Sequence, residues 1–216
     1  MMHQPHVHLV DDDAQVLDAH RFVLSVAGFR VSTFESAEAF LKAVDARDVG
    51  CAVMDLRMPG MSGLECLDVM RREGLDMPVL FVTGHGDMTS AVAALKNGAA
   101  DFIAKPVEAE RLVEACTRLC ALHEAERGRR AQAASVRTRL GRLTPREREV
   151  AELVAEGLAN KIIADRLGVT EQAVKYHRMN ICAKLEVRSA VEIARLLDAG
   201  DAGLEESGLR RITVLE

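Results

Sequence analysis

Within the first 122 residues, five short apolar runs alternate with segments of helical periodicity. His6–Asp11, Arg30–Phe34, Cys51–Asp55, Pro78–Thr83 and Asp101–Ala104 read as buried strands. Between and after them, Ala14–Ala27, the segment that Ser36 can cap, Leu64–Arg72, Met88–Asn97 and Glu108–His123 read as helices. Gly28 and Gly98 stand at two of their C-terminal ends. Apolar strands separated by helices predict a parallel sheet covered on both faces, a doubly wound α/β layout. Such sheets bind ligands beyond the carboxyl ends of their strands. The core must be aliphatic and Met-rich, because only 3% of the residues are aromatic against 49% hydrophobic.

The pattern changes after residue 122. Residues 124–142 hold six arginines and many alanines without a clear apolar stripe, and read as a partly helical, solvated linker or a nucleic-acid-contacting arm. Beyond them all signals are helical. Thr144-Pro145-Arg146-Glu147 is a capping box with proline in the first turn. Gly157 and Gly168 stop two helices, Thr170 caps a third and Ser189 a fourth that Gly200 is expected to close. The middle two, joined by a tight glycine-containing turn, predict a helix-turn-helix within a small all-α four-helix unit. The divisions expected are 1–122, a linker 123–142, a helical domain 143–200 and a tail 201–216.

Charge follows the same division. Residues 1–122 carry a net −7 and residues 123–199 a net +4. An acidic module joined to a basic one suggests that the second meets a polyanion. No apolar run approaches the ~20 residues of a membrane span, and no signal peptide is visible. A cytoplasmic protein with no membrane partner is therefore expected, and five scattered cysteines read as buried thiols.

The strand ends carry the chemistry. Asp11, Asp12 and Asp13 follow the first strand, Asp55 ends the third, Thr83 ends the fourth and Lys105 follows the fifth. Any one aspartate could be a turn former or helix cap, and Asp13 suits the cap of the first helix. Together, however, they converge at one edge. Clustered carboxylates repel unless a cation sits among them, and a hard oxygen site of this kind suits Mg²⁺. A cation and Lys105 can neutralise a transferring phosphoryl group, with Asp55 as nucleophile and Thr83 donating to a phosphoryl oxygen. In the helix after Thr170, Val174, Ile181 and Leu185 recur at core spacing. That leaves Lys175, Tyr176, Arg178 and Met179 on other faces, where N-terminal residues of a reading helix meet base edges. Asn160 and Lys161, at a helix start, suit phosphate contact.

These motifs carry a resemblance. Val10-Asp11-Asp12-Asp13, Met54-Asp55-Leu56-Arg57-Met58-Pro59-Gly60, Val82-Thr83-Gly84-His85-Gly86-Asp87 and Phe102-Ile103-Ala104-Lys105-Pro106 are similar to the response-regulator receiver domain of two-component systems, with its flavodoxin-like fold. Leu143–Val150 and Gly157–Arg178 resemble the LuxR/NarL-type helix-turn-helix, and the combination resembles the FixJ branch. The resemblance implies a transcription regulator rather than an enzyme, with only self-phosphorylation and autodephosphorylation as chemistry. It implies that Asp55 takes phosphate from a sensor histidine kinase. Asp11, Asp12, Asp55 and the Arg57 carbonyl would hold Mg²⁺, Thr83 and Phe102 would be the switch pair, and Lys105–Pro106 would be cis. Asn160, Lys161, Thr170, Lys175, Tyr176, Arg178 and Met179 would meet DNA. Arg57 and His85 would tune dephosphorylation, and a homodimer would form through about Asp87–Phe102 on phosphorylation; RNA polymerase is admitted as a further partner. Ala173 and Tyr176 depart from the family pattern, so base preference does not transfer. Two other readings remain: an aspartyl-phosphate phosphatase, against which Arg57 stands where that class has a second acid, and a DNA-binding protein whose receiver ignores phosphate.

Overall fold

The five apolar runs form one parallel sheet: β1 (His6–Val10), β2 (Arg30–Phe34), β3 (Gly50–Asp55), β4 (Val79–Thr83) and β5 (Asp101–Ala104). Their order is β2-β1-β3-β4-β5, the flavodoxin-like order with its switch point between β1 and β3. The computed structural model describes residues 4–84 and 98–206. The expected helix Met88–Asn97 therefore lies outside the described residues.

Alternation along the central strands sends side chains into two layers. Val7, Leu9, Cys51, Val53, Leu80 and Val82 pack with Leu17 and Leu24 of α1 (Ala14–Val26) and with Leu112, Cys116 and Leu119 of α4 (Ala109–Leu140). Val10, Ala52, Met54, Val79 and Phe81 pack with Phe40 of α2 (Ala37–Ala43) and with Cys66, Leu67 and Met70 of α3 (Gly63–Arg72). Helix starts are capped as the side chains dictate. The Asp13 carboxylate accepts from the Gln15 N–H, and the Ser36 hydroxyl from that of Ala39. Ser62 and Glu65 make a reciprocal capping box.

Two compact units divide at Arg127/Gly128, inside α4. In the segment read as a partly helical, solvated linker, residues 124–140 are helical and mostly exposed, with Val136 and Leu140 buried. In the first unit, buried His123 places Nδ1 2.9 Å from the Gly50 carbonyl and Nε2 3.2 Å from Asp76. Arg127 donates to the Ala46 carbonyl. In the second unit, Val136 and Leu140 of the same helix are buried in its core. The arginines concealed this. Arg139 donates to the Leu185 carbonyl, and Arg142 pairs with Glu186 at 2.9 Å, so both serve the unit's own packing.

The second unit continues with α5 (Pro145–Ala155), α6 (Asn160–Leu167), α7 (Glu171–Leu185) and α8 (Ala190–Glu206). Val150, Val154, Ile163, Val174, Ile181, Leu185 and Ile193 form its core. Glu147 is buried, bonds the Thr144 N–H in a capping box, and accepts from Lys184 Nζ at 2.6 Å. Gly200 does not close α8, which runs to Glu206. Its role is packing: a β-carbon there would sit 2.5 Å from Leu140 Cδ1.

One core residue is polar without reward. His8 is buried between Phe34 and Phe40, and neither ring nitrogen meets a hydrogen-bonding partner among the described residues. Burial, and then the His6 ring 3.9 Å away, hold its pKa down to about 4. The unfolded chain takes up this proton near pH 6.5, whereas the folded chain refuses it until about 4. Stability therefore falls as pH drops through that window, by on the order of 3 kcal/mol. Chemical denaturation at several pH values should show His8→Leu flattening this fall; an unchanged slope would remove His8 as its cause.

Candidate functional site

The parallel register decides what meets at the carboxyl edge of the sheet. Val10 pairs with Met54, Asp55 with Val82, and Thr83 with Ala104. The residues at or just past these positions, Asp11, Asp12, Asp55, Thr83 and Lys105, therefore share one rim. The carboxylates of Asp11, Asp12 and Asp55 each offer an oxygen within 4.8 Å of the others. Lys105 Nζ stands 3.0 Å from Asp11 Oδ2 and 3.5 Å from Asp55 Oδ2. It reaches them from a turn closed by the cis Lys105–Pro106 bond and by the Lys105 N–H donating to the Thr83 carbonyl at 2.7 Å.

Electrostatics follow from burial. The Asp55 side chain keeps only 12% of its surface exposed. Desolvation raises its pKa; the Lys105 charge opposes this, and the Asp11 carboxylate adds to it. Burial pulls the Lys105 ammonium downward, but the hydrogen bond and charge of Asp11, joined by Asp55, outweigh it and leave the pKa raised. Asp11 is itself buried and also accepts from the Asp13 N–H at 2.9 Å, which aims its second oxygen at Lys105. Asp12 is exposed. Three carboxylates with one ammonium are a hard, oxygen-only donor set that fits a small divalent cation better than any soft-ligand metal.

The loop after β3 is held against the site. The Gly63 N–H donates to the Leu56 carbonyl at 3.1 Å, and the Met61 N–H to Glu38 Oε1 at 3.1 Å. A β-carbon at Gly63 would collide with the Asp55 carbonyl oxygen and the Phe81 ring, so only glycine lets the chain pass there. Arg57, exposed, lies in this loop two residues beyond Asp55.

Among the described residues, the side chains of the two expected switch residues make no hydrogen bond to the acids of the rim: each is held by its own strand. Thr83 is buried, and its hydroxyl donates to the adjacent Gly84 carbonyl at 3.3 Å. Phe102 is half-buried against the layer containing Met54 and Phe81. His85 and most of the expected dimer segment fall within 85–97, outside the described residues.

Sequence reasoning missed His20. It lines a small pocket with Leu17, Asp11 and Asp55. Desolvation lowers its pKa; Asp11 opposes that and Lys105 reinforces it. The spacing held the signal: positions 17, 20 and 24 share one face of α1, and Leu17 and Leu24 are buried.

The second candidate surface is built by α6 and α7. Gly168, at φ 65°, turns the chain between them, and the Thr170 hydroxyl accepts from the Ala173 N–H to start α7. Val174, Ile181 and Leu185 face the core as their spacing requires. On the opposite side, Lys175 is exposed, and Tyr176 and Met179 keep 59% and 61% of their surface. Arg178 and Asn160 are half-buried and bonded to each other, Nη1 to Oδ1 at 2.8 Å. Lys161 and Thr170 are exposed.

Comparison with known proteins places both halves. Residues 7–117 match the response regulator receiver domain, and residues 141–197 match the bacterial regulatory proteins of the luxR family. The transcriptional regulatory protein FixJ of Bradyrhizobium diazoefficiens is 39% identical over 193 residues, covering 88% of this chain and 93% of that protein. The C4-dicarboxylate transport transcriptional regulatory protein DctR of Rhodobacter capsulatus is 38% identical over 192 residues, covering 88% and 98%. Among solved structures, the response regulator StyR aligns with a TM-score of 0.84 at 39% identity, over 91% of this chain and 99% of that one. A receiver sheet with an acidic rim, followed by a helix-turn-helix unit and matched over most of its length by transcriptional relatives, identifies the chain as a response regulator that combines a receiver domain with a LuxR-family DNA-binding domain.

Proposed function

We propose that Asp55 is the phosphoacceptor of this response regulator, and that its phosphorylation controls DNA binding by α7. The observation that carries the proposal is Lys105 Nζ set between Asp11 and Asp55, with the three carboxylates gathered around one point. Asp55 attacks the phosphorus of a sensor kinase's phosphohistidine, the phosphorus–nitrogen bond breaks, and an acyl phosphate forms. Lys105 loses nothing by leaving one carboxylate oxygen for a phosphoryl oxygen, since both are anionic. Asp11, Asp12, Asp55 and the Arg57 carbonyl would hold Mg²⁺, which supplies charge neutralisation when bound. Thr83 exchanges its bond to the Gly84 carbonyl for one to the phosphoryl group, and Phe102 turns inward behind it. Autodephosphorylation at Asp55 resets the switch, and no other turnover is assigned to the protein.

The receiver role occupies residues 1–122, with 123–142 as connection, 143–200 as the DNA-reading domain and 201–216 as tail. Phosphorylation shifts a pre-existing equilibrium toward a homodimer formed through about Asp87–Phe102. On DNA, Lys175 donates to guanine O6 and N7, Tyr176 and Met179 supply apolar contact, and Asn160, Lys161, Thr170 and Arg178 meet backbone phosphates. RNA polymerase is the natural further partner of a promoter-bound regulator. No helix among the described residues is long and apolar enough to cross a membrane, which supports work in the cytoplasm beside DNA.

Three measurements test this reading. Radiolabelled phosphohistidine kinase or acetyl phosphate with Mg²⁺ should label the protein, and Asp55→Asn should abolish the label; label that persists would move the acceptor elsewhere. Mg²⁺ should raise the melting midpoint of the wild-type protein, and Asp12→Asn should erase that rise. A variant that still responds to Mg²⁺ as wild type does rules out the metal site as drawn. Lys175→Ala should weaken specific binding by about 1–3 kcal/mol while sparing non-specific binding; an unchanged ratio of the two excludes base reading by Lys175.

A further inference from the structure

Two thiols meet beneath the sheet, far in sequence and unused by phosphorylation. Cys51, the second residue of β3, and Cys120 of α4 bring their sulfurs to 3.5 Å. Both are buried, at 0% and 5% exposure. Cys120 lines a small surface pocket with Pro5, Val49, Gly50 and Glu124, whereas Cys51 does not. We propose that Cys51 and Cys120 form an intramolecular disulfide when the protein meets hydroperoxide, with Cys120 as the attacking thiol.

The assignment of roles follows from access and environment. The hydrogen bond shared with Cys51 holds the Cys120 thiol below its ordinary pKa, although burial opposes this. Cys51 is pushed well above its own, by its hydrogen bonds to Cys116 and Cys120 and by burial. The cysteine that lines the pocket is the one a hydroperoxide can reach and is the nucleophile, and the buried thiol beside it is the resolving group. Cys120 sulfur attacks one peroxide oxygen, the oxygen–oxygen bond breaks, and the departing hydroxide leaves as water with the thiol proton. Cys51 sulfur then attacks the sulfenyl sulfur of Cys120, the sulfur–oxygen bond breaks, and a second water leaves with the Cys51 proton. Two thiols lose two electrons, and one peroxide is reduced to two waters. To form the bond, the sulfurs close from 3.5 Å to about 2.05 Å.

Two other buried cysteines of the same unit frame the claim. Cys66 lies in the opposite layer, where burial pushes its thiol up to about 12. Cys116 is fully buried and lines no part of the Cys120 pocket. No group of three cysteines gathers closely enough to hold a metal among the described residues, where Asp11, Asp12 and Asp55 form the one such cluster. The pair is therefore suited to oxidation rather than to ligation.

Trypsin separates all the thiols concerned, because Arg118 divides Cys116 from Cys120. Full-length protein treated with hydrogen peroxide, blocked with N-ethylmaleimide and digested should yield residues 48–57 linked to residues 119–127. Cys66 and Cys116 should carry maleimide. Cys51→Ala should instead trap Cys120 as a dimedone-reactive sulfenic acid, and Cys116→Ala should leave the link intact. Recovery of Cys120 blocked by maleimide after peroxide, linkage of Cys120 to Cys116, or a crosslink only between chains would each overturn the proposal. The wild-type digest decides the matter even if a variant fails to fold.

Discussion

An ammonium held between two carboxylates is the constraint on which the first unit depends. Lys105 must lie within 3.5 Å of both Asp11 and Asp55, and these residues come from the ends of β1, β3 and β5, strands that are not neighbours in sequence. Only a parallel sheet with β1 and β3 side by side and β4 inserted before β5 brings them together. The rest of the unit serves that rim. Two aliphatic layers fix the strand register, Gly63 lets the next loop pass under Asp55, and Glu38 holds the loop in place. The rim itself is a source of repulsion. At Asp55, burial and the Asp11 charge act against the charge of Lys105.

The second unit solves a different problem. A domain that meets DNA must expose positive charge, yet a small helical domain needs internal anchors. Here one buried acid does the anchoring. Glu147 closes the first turn of α5 and binds Lys184 at the end of α7, joining the two helices by one carboxylate. Arg139 and Arg142 are likewise spent on the last carbonyls and acid of α7. The charge that remains exposed on α6 and α7, Lys161 and Lys175 among it, lies with Tyr176 and Met179.

Much of this was legible in the sequence, for physical reasons that can be named. Strand ends were readable because buried parallel strands are short and uniformly apolar, so Asp55, Thr83 and Lys105 stood out at their edges. Caps were readable because Asp13, Ser36, Thr144 and Thr170 each satisfy backbone donors within three residues. What escaped depended on tertiary contact. The burial of Val136 and Leu140 was hidden because two apolar residues are too few to draw a stripe among arginines. Gly200 looked like a terminator but is a point of close approach. His20 was overlooked although its spacing placed it on a buried face, since its neighbour is the acidic rim rather than the core. Gly63 could be quoted in a motif, but its necessity appears only once the Asp55 carbonyl and the Phe81 ring surround it.

The bond between Arg178 and Asn160 has a consequence for how a duplex would be met. It joins the third turn of α7 to the first residue of α6. The helix proposed to read bases and the helix end proposed to grip phosphates are thus clasped before any encounter. Their separation acts as a ruler cut in advance, and a duplex would be measured against it rather than moulded to it. Recognition of that kind costs little ordering on arrival, so correct and incorrect sites would be sorted chiefly by how long the complex persists.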